Sequence, residues 1–116
     1  MIRGEVWTVA GAGDYAGKPR PVAIVQDDAF AGTSSVTVCA FTTDPTEAPL
    51  LRVPVEPNER NGLRAASSLM VDKVTTVPRS KLGTRIGKLE PAELQRLNQA
   101  LLVFLGLATP VRKRSA

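Results

Sequence analysis

Arg20 is the residue whose neighbours in the sequence point most directly to chemistry. It stands between Pro19 and Pro21, where the apolar run from Val22 to Val25 begins. Pro21 disfavours the α region for Arg20, and Pro19 has a fixed φ angle, so the backbone that carries the guanidinium is restricted before the chain folds. Because a planar guanidinium can bond two phosphate oxygens at once, we predict a preoriented, anion-binding arginine at this strand end.

The histidine and cysteine content excludes several kinds of site. The chain has no histidine and a single cysteine, Cys39, which lies in an apolar segment. Imidazole acid–base chemistry, a zinc site of Cys and His ligands and an intramolecular disulfide are therefore excluded, and Cys39 is predicted to be a buried thiol. An enzyme of this composition has to act through carboxylate, hydroxyl, lysine or arginine side chains.

Length and charge indicate a small soluble protein. With 116 residues the chain fits one domain, at 1–108, followed by a basic tail at 109–116 that we expect to be disordered. The formal net charge is +4, but Arg112, Lys113 and Arg114 supply three of the fifteen basic residues, so net charge is a weak argument for a nucleic-acid partner. The start lacks a signal-peptide core, and the longest apolar run is about half a membrane span. We expect a cytoplasmic protein without membrane contact.

Five or six short strands must position Arg20. The continuous apolar strand at 20–26 is predicted to be buried on both faces, and Pro54 places the strand at 50–56 at a sheet edge or a bulge. The glycine-containing loop at 10–19 is predicted to be a mobile binding lid. The other predicted strands span 3–9, 34–43, 67–77 and 84–89.

The last predicted element is an amphipathic helix. Glu90-Pro91 opens it, and Gly106 ends it. Its apolar positions recur at helical spacing and predict a packing face. This face consists of Leu94, Leu97, Leu101, Phe104 and Leu105. Strands followed by one helix predict a mainly β, α+β fold: a small, curled, barrel-like sheet with a C-terminal helix.

An ordered set of motifs resembles the MazF/PemK-type toxins of bacterial type II toxin–antitoxin modules. The motifs are RGEVW, GKPRPVAIVQDD, VCAFTT, NGL, SSLMVDKVTTVPRSKLG and IGKLEPAELQRLNQALLVFLGL, and they cover residues 2 to about 107. The resemblance implies an SH3-like barrel, a homodimer and an mRNA interferase: an endoribonuclease that cleaves single-stranded RNA without a metal or cofactor. It also implies a cognate antitoxin with an acidic, disordered tail that covers the RNA groove.

The resemblance assigns roles to particular residues. The family's catalytic arginine matches Arg20 and its catalytic threonine matches Thr42. An acidic loop residue of some members corresponds to Asp14. In one branch an arginine and an aspartate two residues later take part; Asp72 matches the aspartate, but Met70 stands at the position of the arginine. Further substrate contacts are expected from Lys18, Thr43 and Lys73.

Other interpretations of these residues and of the fold stay open. The general base could be Asp14, Asp72 or solvent. Thr42 could instead cap a turn, and Asp72 could pair with Lys73 or Arg52 for structure alone. A gyrase-poisoning toxin of the same fold, or a non-catalytic RNA- or peptide-binding module, would carry a similar sheet. The gyrase-directed branch uses a tryptophan at the end of its last helix, whereas the only tryptophan here is Trp7, which is expected in the core or a dimer contact.

Overall fold

The computed structural model describes residues 1–10 and 18–109. Within them the chain forms six strands and one α-helix, so the predicted mainly β fold with a C-terminal helix is confirmed. Most of the predicted lid at 10–19 and nearly all of the predicted tail lie outside the described residues. The elements are β1 (Glu5–Val9), β2 (Arg20–Ile24), β3 (Ser35–Thr42), β4 (Arg52–Val55), β5 (Ser67–Pro78), β6 (Leu82–Lys88) and α1 (Pro91–Phe104).

The strands form one antiparallel sheet in the order β4-β5-β3-β2-β1-β6. β4, which contains Pro54, lies at one edge, as the sequence predicts. Proline has no N–H to donate to a second neighbour, so an edge strand is where it fits. β2 and β3 occupy the middle, and each is paired on both sides.

β5 changes its register with β3 near the middle of the sheet. Cys39 lies opposite Val74, whereas Phe41 lies opposite Leu69. Four residues of β5, 70–73, therefore correspond to one residue of β3, and such an irregularity bends a strand and increases its twist. Asp72 and Lys73 lie in this bend.

Apolar residues are buried on both faces of the sheet. On one face, α1 packs against β4 and β5, and Leu97 of the helix is fully buried with Val55, Leu69 and Val71. On the other face, a second cluster contains Val22, Ile24, Val36 and Val38, with Trp7 packed against it. One helix cannot cover both faces of a flat sheet, so this burial requires the sheet to curl over its second cluster.

α1 begins with a capping box. The Glu90 backbone N–H donates to the Glu93 side chain at 2.9 Å, and the Glu90 side chain accepts from the backbone N–H of Glu93. The predicted packing face is correct only for its first three turns, because Phe104 and Leu105 are 46% and 61% exposed. They are the last residue and the C-cap of the helix. No helix in the described part of the chain is long and apolar enough to cross a membrane.

Candidate active site

Arg20 begins β2 and Thr42 ends β3, so the two residues lie at the same end of neighbouring antiparallel strands. The register of β2 with β3 pairs Val22 with Ala40 and Ile24 with Val38. Extrapolated by two residues beyond its last pair, this register would place Arg20 opposite Thr42 and on the same face of the sheet. Directly opposed residues of antiparallel strands have Cβ atoms about 5 Å apart. Arg20 is exposed and Thr42 is partly exposed, so both can reach a ligand in solution.

The hydroxyl of Thr42 is oriented by the turn that follows β3. Its Oγ1 accepts a hydrogen bond from the backbone N–H of Asp44 at 3.1 Å. The Asp44 carboxylate accepts bonds from the backbone N–H of Thr46 at 2.9 Å and from its hydroxyl at 2.7 Å. These two bonds hold the pKa of Asp44 below its usual value. Thr42 thus does cap a turn, and the same bond restrains the hydroxyl while its hydrogen remains available.

Ser68 extends the pair into a row across the sheet. It lies directly opposite Thr42 on β5 and opposite Pro54 on β4. The paired row therefore runs Thr42, Ser68, Pro54 on one face of three strands, and Arg20 lies beside it at the start of β2. Ser68 was not among the residues predicted from the sequence, because its position depends on the register change within β5. Its neighbour Ser67 has the opposite orientation, since side chains alternate along a strand.

Asp72 forms an ion pair with Arg52 rather than with Lys73. Arg52 Nη1 donates to Asp72 Oδ1 at 2.5 Å, and the hydrogen bond from Arg52 is the main reason why the pKa of Asp72 lies below its usual value. A carboxylate held ionised in this way is a weak base. Lys73 is exposed in the bend of β5. Met70, at the position where one branch of the family has an arginine, lies directly opposite Arg52.

The remaining predicted residues flank this row. Thr43 and Lys18 are exposed, and Lys18 follows directly after residues 11–17. Asp14 lies outside the described residues. A cavity of about 700 Å³ opens beside the row, and Thr43, Arg52 and Ser68 line it together with Arg96 of α1.

Other chemistries find no support within the described residues. Among them, no group of three or more His, Cys, Asp or Glu side chains could hold a metal ion. Cys39 is fully buried, and burial, with a smaller contribution from the charge of Asp72, raises the pKa of its thiol to about 12. A thiol with that pKa is not a nucleophile near neutral pH.

Comparison with known proteins gives consistent results. Residues 2–105 match the family of PemK-like, MazF-like toxins of type II toxin–antitoxin systems. A protein of Mycolicibacterium smegmatis named "Probable endoribonuclease MazF" is 57% identical over 108 residues, which is 93% of this chain and 99% of that protein. An endoribonuclease from Mycobacterial species, solved in complex with its cognate antitoxin, has a TM-score of 0.77 and 27% identity over 95% of this chain and 99% of its own. The Mycobacterium tuberculosis toxin MazF-mt6 has a TM-score of 0.74 and 26% identity over 88% of this chain and 96% of its own.

The match extends over nearly all of the described chain, including all six strands and the helix. It agrees with the ordered motifs of the sequence and with the sheet that presents Arg20 and Thr42. The chain belongs to the PemK-like, MazF-like toxins of type II toxin–antitoxin systems.

Proposed function

We propose that this chain is an endoribonuclease toxin that cleaves single-stranded RNA by attack of the ribose 2′-hydroxyl on the adjacent phosphorus. The observation that carries the proposal is that Arg20 and Thr42 lie at the same end of the adjacent strands β2 and β3 and are both accessible to solvent. The relatives named as endoribonucleases support the reaction type. Cleavage by the 2′-hydroxyl breaks the bond to the 5′-oxygen, and it yields a 2′,3′-cyclic phosphate, which can hydrolyse to a 3′-phosphate, and a 5′-hydroxyl end.

Arg20 acts in this scheme as an electrostatic clamp. The transition state carries extra negative charge on the nonbridging phosphate oxygens, and a guanidinium can bond two of them at once. Arginine stays protonated in proteins, so it serves as a cation and not as the base that takes the 2′-hydroxyl proton. Since Pro19 and Pro21 restrict its backbone, little of the binding energy is lost in ordering it.

Thr42 complements the clamp with a neutral donor. Its hydroxyl accepts from the Asp44 N–H and can donate its own hydrogen to a phosphate oxygen. The proton of the 2′-hydroxyl leaves to a base, and the 5′-oxygen gains a proton when its bond to phosphorus breaks. Asp72 is a poor base because it is paired with Arg52. The pairing therefore favours Asp14 or solvent as the general base.

The partners proposed for the chain follow the same family. A solved endoribonuclease similar to this chain is bound to its cognate antitoxin. We propose that a cognate antitoxin with an acidic, disordered tail neutralises this chain by covering the face with Arg20 and Thr42, and that the toxin is a cytoplasmic homodimer. Lys18, Thr43 and Lys73 are proposed to contact RNA, because all three are exposed.

The test is incubation of the purified protein with a long single-stranded RNA in the presence of EDTA, followed by sequencing of both fragment ends. We expect discrete fragments with 5′-hydroxyl ends. Arg20→Ala and Thr42→Ala should each abolish cleavage and leave the thermal midpoint nearly unchanged. Intact RNA together with stalled gyrase would identify a gyrase poison instead, and intact RNA without a gyrase effect would identify a binding module.

A further inference from the structure

We propose that Arg52 is a second substrate-binding cation of this site and that Asp72 is the residue that positions it. The inference rests on the proposed nuclease function and deepens it. It assigns to Arg52, on edge strand β4, the task of binding a phosphate of the RNA next to the one held by Arg20.

The register of three strands puts Arg52 on the same face as the catalytic pair. Thr42 lies opposite Ser68, and Arg52 lies opposite Met70, two residues further along β5. Ser68 and Met70 therefore share a face, and their cross-strand partners share it with them. From strand spacing and rise, the Cα atoms of Thr42 and Arg52 are about 12 Å apart. A single-stranded RNA that crosses the sheet at Thr42 passes over this part of the face.

Two bonds fix the guanidinium of Arg52. Its Nη1 donates to Asp72 Oδ1 at 2.5 Å and to the backbone carbonyl of Leu51 at 2.9 Å. Within residues 1–10 and 18–109 these are the bonds that the side chain makes, so Nη2 and Nε keep three N–H donors for a ligand. The side chains of Arg52 and Asp72 are 22% and 25% exposed, so the ion pair is partly accessible to solvent and to a ligand.

The charges around Arg52 connect it to the end of β3. The pKa of Asp44, two residues after Thr42, is lowered mainly by its hydrogen bonds from Thr46, and the charge of Arg52 makes a minor contribution. Arg52 and Thr43 also line the same cavity. Arg52 therefore lies near the residue that follows Thr42, as well as next to its partner in β5.

A purely structural role is the competing explanation. An ion pair between neighbouring strands can link β4 to β5, and partly exposed pairs contribute little to stability. The two roles differ in their kinetic consequences. Loss of Asp72 makes the surface more positive, so RNA binding should hold or tighten. If Asp72 also aims Arg52, the cleavage step itself should slow.

The experiment compares Arg52→Ala, Arg52→Lys and Asp72→Asn in the full chain, with Arg60→Ala as the matched control. Arg60 also pairs with a carboxylate, that of Glu90 at 3.5 Å, at the start of α1. We expect Arg52→Ala to lower kcat/KM for RNA at least about tenfold and Arg52→Lys to restore little, because lysine lacks the planar fork. Asp72→Asn should lower kcat, with KM unchanged or lower. The kcat/KM of Arg60→Ala should stay within about twofold of the wild-type value.

The thermal midpoint of each variant is measured first, so that cleavage is compared under conditions in which every variant is folded. The cleavage rates then decide whether Arg52 and Asp72 act on the RNA or only on the structure. If folded Arg52→Ala and Asp72→Asn cleave as fast as the wild type, the pair is only structural and the inference is overturned, although the nuclease function stands. If Asp72→Asn raises KM and leaves kcat unchanged, the positioning role is wrong. If the wild-type protein leaves RNA intact, the proposed function fails and the inference fails with it.

Discussion

The hydroxyl oxygen of Thr42 accepts a hydrogen bond from the backbone N–H of Asp44, 3.1 Å away. This bond fixes the oxygen, and the hydroxyl hydrogen stays available to a phosphate oxygen. We expect Thr42→Ser to keep most of the RNA-cleaving activity, since serine can form the same turn. Thr42→Val should lower kcat at least about 100-fold, which is the effect of removing one hydrogen-bond donor to the transition state in other enzymes. Single-turnover cleavage of RNA measures both.

The control for this prediction is Thr37→Val in the same strand. The Thr37 hydroxyl bonds the Thr76 hydroxyl at 2.8 Å, on the opposite face from Thr42. Thr37→Val should leave RNA cleavage unchanged. Each of the two valine variants loses one hydrogen bond, worth about 1 kcal/mol of unfolding free energy. Normal cleavage by folded Thr42→Val would remove Thr42 from the mechanism.

Pro21 is predicted to act on catalysis through the backbone of Arg20. It lies between Arg20 and the part of β2 that pairs with β3, and its own cross-strand neighbour in β1 is Thr8. Pro21→Ala frees Arg20 to enter the α region. We expect kcat for RNA cleavage to fall about tenfold with little change in KM, because the cation must then be ordered during the reaction.

Pro78→Ala, at the end of strand β5 opposite Ser35, is the matched control. It removes a proline from a strand of the same sheet without touching the backbone next to Arg20, and we expect cleavage to stay within about twofold of the wild type. Equal effects of the two substitutions on kcat would mean that Pro21 acts through general stability and not through Arg20.

Much of the fold could be predicted because it depends on local patterns. The apolar run of β2, the edge position of Pro54 and the helix start at Glu90-Pro91 follow from periodicity and from proline geometry. Arg20 was recognisable for the same reason, since its neighbours restrict it within the sequence itself. Phe104 and Leu105 show the limit, because the helical spacing of apolar residues continues to the end of the helix although these two side chains are exposed.

The partners of the site could not be predicted in this way. Ser68 lies opposite Thr42 only because β5 has four residues in its bend where β3 has one. Arg52 bonds Asp72 on the neighbouring strand, although the two residues are twenty positions apart in sequence. Cross-strand register is set by tertiary packing, and a single sequence does not contain it explicitly. Asp72 could therefore be predicted as a candidate site residue, while its ion-pair partner was left open between Lys73 and Arg52.

Glu5 should make the stability of the fold sensitive to acid. Burial disfavours its carboxylate, but bonds from the Ile2 N–H at 2.9 Å and Trp7 Nε1 at 3.1 Å, and the charge of Arg85 at 2.8 Å, outweigh burial. The pKa of Glu5 is therefore lower in the folded than in the unfolded chain. Its stabilising contribution is complete above its ordinary pKa of about 4.5 and is lost as the pH falls through the lower, folded value.

Glu5→Gln should accordingly reduce the unfolding free energy near neutral pH and make it less dependent on pH in the acid range. Urea denaturation at several pH values measures this slope. Glu59→Gln, at an exposed loop position, is the control and should leave the slope unchanged. A Glu5→Gln variant that loses stability in acid as steeply as the wild type would contradict the assignment.

Cys39 should be chemically inert as long as the chain is folded. Burial, and to a smaller extent the charge of Asp72, raises the pKa of its thiol to about 12, and its Sγ lies 3.3 Å from the carbonyl oxygen of Met70. Because the thiolate is the reactive form, we expect a disulfide reagent at about pH 8 to modify the native protein only as fast as the chain opens. The same reagent should react rapidly in concentrated urea. Rapid modification of the native protein would show that β3 opens around Cys39, next to the strand end that holds Thr42.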